Sequence, residues 1–171
     1  MKRQTGIAAL VLGGLSLGAE GATFMDAAWA SQLCKAWNAN STLTTKLGGD
    51  AWAGNNAGRG YKTIQLYRDG CGLGSKVELK IADQNGKAIC TYGGAVQNNS
   101  PDYAVDYLMH ATDEDWTCMG EGAFGCGAMG AMTTGKLKFS GPKMEAMGVM
   151  GPFNAFLEMT GSVAGDKGSC P

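Results

Sequence analysis

At 171 residues, with 14 lysines and arginines against 15 aspartates and glutamates, the chain is long enough for a cored domain and close to neutral. That balance leaves no electrostatic footprint for nucleic acid and no polybasic patch for an anionic membrane. The single histidine, His110, leaves no nucleophile–base pair or metal set to assemble, so neither an autonomous enzyme nor a cofactor is expected.

The N-terminus reads as an export signal. Lys2 and Arg3 precede an uncharged apolar run, Gly6 to Gly18, and Ala19 and Gly21 are small residues at the minus-three and minus-one positions of a cut after Gly21. A cut after Ala22 would put Glu20 at minus three. The alternative, an uncut anchor, has a run shorter than the roughly 20 residues a membrane span needs. Residues 1–21 are therefore expected to be removed, leaving residues 22–171 as one exported domain, periplasmic or secreted. Lys2, Arg3 and Glu20 go with the signal, leaving 12 basic against 14 acidic side chains, a net charge of −2.

Met25 to Trp37 spaces Met25, Ala28, Trp29, Leu33, Ala36 and Trp37 as an amphipathic helix. Ser41 then caps a short second helix, Thr42 to Leu47, before Gly48 and Gly49. Asp50 to Gly60 is loop. Tyr61 to Arg68 alternates as a strand, with Lys62, Ile64, Leu66 and Arg68 on one face and Tyr61, Thr63, Gln65 and Tyr67 on the other. Arg59 and Arg68 suit either a solvated surface or a ligand's carboxylate or phosphate. Lys76 to Ala82 places Val77, Leu79 and Ile81 inward, and Asp83-Gln84-Asn85-Gly86 turns the chain into Lys87 to Tyr92. A fourth strand, Asp102 to His110, has Tyr103, Val105, Tyr107 and Met109 on one face.

Thr112 opens a helix whose first-turn acids, Asp113, Glu114 and Asp115, complement the helix dipole and are not a catalytic cluster. Gly120 to Gly130 is dominated by small residues and methionine. The glycine runs GAFGCGAMG and AGNNAGRG are weak phosphate signals; tight turns or close approach to a ligand explain them better. Thr134 to Phe139 is a fifth strand. A helix runs from Pro142 to about Met147, is interrupted at Gly148 and Gly151-Pro152, and resumes from Phe153 to Met159, ahead of a polar tail. These elements spell α+β: a single five-stranded, mainly antiparallel sheet with helices packed on one face.

Cys34, Cys71, Cys90, Cys118, Cys126 and Cys170 all follow the export signal, and an even count in an exported chain points to three disulfides. Six cysteines allow fifteen pairings that spacing does not choose between. The expected set joins Cys118 to Cys126 as a local loop, Cys34 to Cys170 across the ends, and Cys71 to Cys90 between neighbouring strands. With no CxxC pair, neither a zinc site nor a thioredoxin-like site is expected.

Four passages share one resemblance. LKIADQNGKAICTY resembles the second hairpin of the sterol carrier protein 2 family, TDEDWTCMGEG its acid-capped helix, TTGKLKFSGPKMEAM its "TGKLKVSGD…A" segment, and PFNAFLEM its terminal helix. The resemblance spans roughly Lys62 to Met159. The export signal, the six cysteines, the tryptophans of the N-terminal helices and the glycines of 120–130 depart from the family's pattern. The resemblance implies an apolar tunnel between sheet and helices that carries a sterol, fatty acyl chain, acyl-CoA or phospholipid. It also implies transient contact with a membrane or a periplasmic enzyme.

The candidate ligand wall comprises Phe124, Met129, Met132, Leu137, Phe139, Met144, Met147, Phe153, Phe156 and Leu157. Methionine is flexible and polarizable and suits varied apolar ligands, although the same residues also serve as ordinary core. Met144, Met147 and Met150, three residues apart, would also suit Cu(I). Trp29, Trp37, Trp52 and Trp116 suit a pocket mouth or a bilayer surface, or else packing of the N-terminal helices on the sheet, which is expected for Trp29 and Trp37. Three functions follow: a lipid carrier, an accessory subunit presenting a hydrophobic substrate to a periplasmic enzyme, and a methionine-rich copper protein.

Overall fold

The computed structural model describes residues 21–171. Of the expected export signal, residues 1–20 lie outside the described residues. Helix α1 (Ala27–Ala39) starts where the Asp26 carboxylate accepts the Trp29 amide, and it buries Trp29, Leu33, Cys34 and Trp37. Asn40 closes α1, and its side chain accepts the amides of Thr42 and Leu43 to start α2 (Ser41–Lys46), so the cap falls one residue before the expected Ser41.

Five strands follow: β1 (Lys62–Arg68), β2 (Val77–Gln84), β3 (Lys87–Ala95), β4 (Tyr107–Ala111) and β5 (Lys138–Ser140). They lie in the order β3-β2-β1-β4-β5. The pairs are antiparallel except β1 with β4, which run parallel. Helices α3 (Asp113–Gly120) and α4 (Ala128–Thr134) lie between β4 and β5; α5 (Lys143–Gly148) and α6 (Met150–Ser162) close the order.

Strand β1 is buried along its whole length. Its register sets Ile64 beside Leu79 and Tyr107, and Leu66 beside Val77 and Met109, building the apolar face that receives the helices. Its other face is polar. Gln65 donates to the buried Glu78 carboxylate and to the carbonyl of Asn98, in the connection from β3 to β4. Two close approaches fix the helices. A Cβ on Gly93 would sit 2.3 Å from the carbonyl oxygen of Ala30, so α1 lies on the backbone of β3. A Cβ on Gly120 would sit 2.7 Å from the Gly161 Cα, where α3 crosses α6. The glycine at position 120 therefore serves a helix crossing.

The disulfides are Cys34–Cys90, Cys71–Cys170 and Cys118–Cys126. The local pair is as expected; the other two correct the expected Cys34–Cys170 and Cys71–Cys90. Sheet register explains the difference. Ile81 pairs with both Lys62 and Cys90, so Cys90 lies level with the start of β1, whereas Cys71 follows its far end. At about 3.3 Å per residue the two are a strand length apart. Cys90 instead meets Cys34 on the overlying α1, and Cys71 meets the returning tail.

Three further expectations are corrected. Strand β4 begins at Tyr107, not Asp102, because the Asp106 carboxylate accepts from the amides of Thr63 and Asp102 and from Arg59, which folds Asp102–Asp106 into a turn. The stretch expected as a strand from Thr134 is instead the end of α4, closed by Gly135 in the left-handed region, and β5 starts only at Lys138. Arg68 is not solvated but buried, pairing with Asp113 and donating to the carbonyls of Lys167 and Ser169, and Arg59, half-buried, spends its guanidinium on Asp106.

All four tryptophans are core residues, and each indole N–H has a partner: the carbonyls of Val163, Ala88 and Tyr67 for Trp29, Trp37 and Trp116, and the Tyr107 hydroxyl for Trp52. The mouth-covering or bilayer role considered for Trp52 and Trp116 is therefore not theirs. Among the described residues, no helix is long and apolar enough to cross a membrane.

Candidate functional site

Apolar side chains of α4, β5 and α5 converge on a groove of about 240 Å³ lined by Met129, Met132, Thr133, Leu137, Phe139, Lys143, Met147 and Met150. The local sequence explains the shape. α4 is short and rich in small residues, Gly135 turns it sharply back, and α5 arrives three residues after β5. Long methionine side chains then fill the angle between short elements, where branched ones would need a fixed fit.

A second, smaller cavity of about 20 Å³ has room for roughly one water. It is lined by Trp37, Leu47, Trp52, Ile64, Tyr107, Met109, Val149, Phe153 and Phe156. Phe139 joins the two linings. It lines the groove, packs edge-on against Tyr107 at 4.9 Å and lies 5.9 Å from Phe153, both of which line the inner cavity.

Of the candidate wall, Met129, Met132, Leu137, Phe139 and Met147 come together around the groove, and Phe153 and Phe156 face the inner cavity. Leu157 is buried in the core, lining neither space. Met144 and Phe124 line neither: Met144 is 80% exposed on α5, and Phe124 is fully exposed on the loop closed by Cys118–Cys126. Four of the six exposed large hydrophobic side chains among the described residues, Phe124, Met129, Met144 and Met147, fall between α3 and α6.

Sequence reasoning missed a polar cluster at the rim of the inner cavity. The fully buried Lys62 ammonium lies 2.6 Å from Glu145 Oε1 and rests over the rings of Trp52 and Tyr107 at 4.7 and 5.3 Å. Tyr107 donates to the same oxygen at 2.9 Å and accepts from Trp52, while Asn55 donates to Glu145 Oε2. Burial pushes the Lys62 amine below its ordinary range, and the hydrogen bond and charge of Glu145 pull it back up. Burial drives the Tyr107 hydroxyl far above its usual range, and Glu145 adds to the rise, so this hydroxyl remains a donor. The signal was available in the strand parity: Lys62 shares the alternation of Ile64 and Leu66, so it had to point into the core.

Glu145 also borders an open surface depression with Lys46, Ala51, Gly148, Val149 and Pro152. Val149 lines both this depression and the inner cavity, forming the wall between them. His110, the single histidine, places Nδ1 2.5 Å from Asp69 and stacks its ring on Tyr67 at 4.3 Å. Among the described residues, no three His, Cys, Asp or Glu side chains group as metal ligands.

No protein-family model matches the chain, and no curated protein matches its sequence at a significant level. Solved structures do match its shape. The crystal structure of sterol carrier protein 2 aligns over 82% of this chain and 98% of its own, with a TM-score of 0.55 at 16% identity. The chain has the sterol carrier protein 2 fold. The solution structure of a conserved hypothetical protein from Thermus thermophilus, a candidate sterol carrier protein, aligns over 89% of this chain and 99% of its own, with a TM-score of 0.50 at 16% identity. The α+β order and the mixed, mostly antiparallel sheet are those of the sterol carrier protein 2 fold.

Proposed function

We propose that this chain is an exported, non-enzymatic binding protein that holds an apolar or amphiphilic lipid between its sheet and helices α4 to α6. The observation that carries the reading is the methionine- and phenylalanine-lined groove, whose Phe139 packs against Tyr107 and Phe153 of a second apolar cavity, on a sterol carrier protein 2 fold. Affinity comes from desolvation, at about 25 cal/mol per Å² of apolar surface buried. A drug-sized ligand needs roughly 300 Å³ or more, so groove and cavity serve as one site when Phe139 and Phe153 part. The apolar rim formed by Met129, Met144 and Met147 is the surface offered to a lipid source. Three disulfides and the N-terminal signal pattern support an oxidising, extracytoplasmic compartment.

Native mass spectrometry of the exported, oxidised protein, followed by organic extraction, tests the reading. A lipid released in stoichiometric amount is the expected result. A protein that carries none, and takes none from vesicles of mixed phospholipid, sterol and fatty acid, would overturn it.

A further inference from the structure

The Lys62–Glu145 cluster has the form of an occupied carboxylate receptor. Three donors from three separate segments converge on one carboxylate: Lys62 Nζ and the Tyr107 hydroxyl on Oε1, at 2.6 and 2.9 Å, and Asn55 Nδ2 on Oε2, at 2.5 Å. Lys62 is completely buried, and its other ammonium hydrogens have aromatic faces for neighbours. The carboxylate that fills the receptor belongs to α5, a six-residue helix flanked by Pro142 and the non-helical Val149. The same helix lends Lys143 and Met147 to the methionine groove, so it is the partition between that groove and Lys62. Glu145 also lies at the edge of the open depression, whose inner wall is Val149.

We propose that Glu145 is an exchangeable occupant and that the ligand is a long-chain carboxylate. Its head displaces Glu145 from Lys62, Tyr107 and Asn55, and its chain runs past Val149 and α5 into the aromatic cavity. This rests on the lipid-binding reading above and names the ligand class for it. One cation and three donors match a singly charged, two-oxygen head. A phosphate dianion would bring a second charge with no second buried cation to meet it. A neutral sterol or ester has no charge to offer the buried ammonium, so taking Glu145's place would leave it unpaired, which is strongly unfavourable.

The test uses the full oxidised protein and two fluorescent probes, an eighteen-carbon polyene fatty acid and its methyl ester, titrated against wild type, Lys62→Met and Glu145→Gln. Wild type is expected to bind the acid at least tenfold more tightly than the ester. Lys62→Met should lose that preference, its affinities for acid and ester coming within about twofold of each other, and Glu145→Gln, which removes the competing carboxylate, should bind the acid several-fold more tightly than wild type. Equal binding of acid and ester by wild type, or a preference retained in Lys62→Met, would overturn the proposal and leave the lipid-binding reading standing. Uptake of neither probe would overturn both. If circular dichroism shows that Lys62→Met does not fold, Glu145→Gln decides: tightened acid binding supports the exchange, and unchanged or weakened binding refutes it.

Discussion

Asp106 ties two separate segments of the chain together. Fully buried, it accepts two hydrogen bonds from Arg59 and the backbone amides of Thr63 and Asp102, so it fixes the end of the loop before β1 and the start of β4 together. Asp106→Ala strands a guanidinium and two amides, and chemical denaturation should show a loss of about 4 kcal/mol. Asp113 behaves differently because it is more exposed. Its hydrogen bond with Arg68 holds its carboxyl below the usual carboxylate range, against the opposing effect of burial. A carboxyl that takes up a proton less readily folded than unfolded adds stability above the unfolded pKa of about 3.9 and loses it as pH falls through the lower folded value. Asp113→Asn should therefore flatten the acid limb of a stability–pH profile while changing its slope near neutrality little. The Thr112 cap and the acids behind it were legible because capping is a local rule. The pairing of Asp113 with Arg68 was not, since it joins the first turn of α3 to the end of β1. Phe124 shows the same gap: its hydrophobicity said nothing of which side of a disulfide-closed loop it would face.

At the scale of elements, the strands with strict alternation, β1 and β2, and the Asn85-Gly86 turn were readable because each rests on near neighbours. The late start of β4 and the short β5 were not, because Asp106 and Gly135 override the local pattern. The joint between α5 and α6 combines both kinds of information. Sequence marks Gly148 and Gly151-Pro152 as an interruption. The structure puts the break at Val149 and accommodates Pro152 within the first turn of α6, where its missing N–H leaves no helical bond unmade. A Cβ at Gly148 meets nothing within 4 Å, so Gly148→Ala probes backbone freedom without a clash. If α5 must lift for a ligand to enter, this substitution should slow ligand exchange several-fold in a stopped-flow displacement assay, with equilibrium affinity nearly unchanged; an unaltered rate would show that the joint does not govern access.

Across the whole molecule, the crosslinks differ in how much chain they close. Cys71–Cys170 spans 99 residues, Cys34–Cys90 spans 56 and Cys118–Cys126 only 8. Loop-closure entropy predicts losses of about 5, 4 and 2.5 kcal/mol when each pair is replaced by serines. Urea midpoints of the three double variants should fall in that order. The fold class was legible in the sequence because β1, β2, the Asn85-Gly86 hairpin turn and the first helices follow simple periodicities and the order of elements supplies the rest. The long-range pairings were not, because they depend on which strand ends the sheet register brings level.

The glycine crossing of α3 and α6 has a mechanical consequence. With Gly161 wedged against Gly120, backbone on backbone, the C-terminal end of α6 is a fulcrum that cannot slide. Its N-terminal end rests on Val149 and on a short helix tied down through Glu145. A lever clamped at one end can swing only at the other, so any swing of α6 would fall at its N-terminal end, beside the helix that carries Glu145 to the Lys62 receptor.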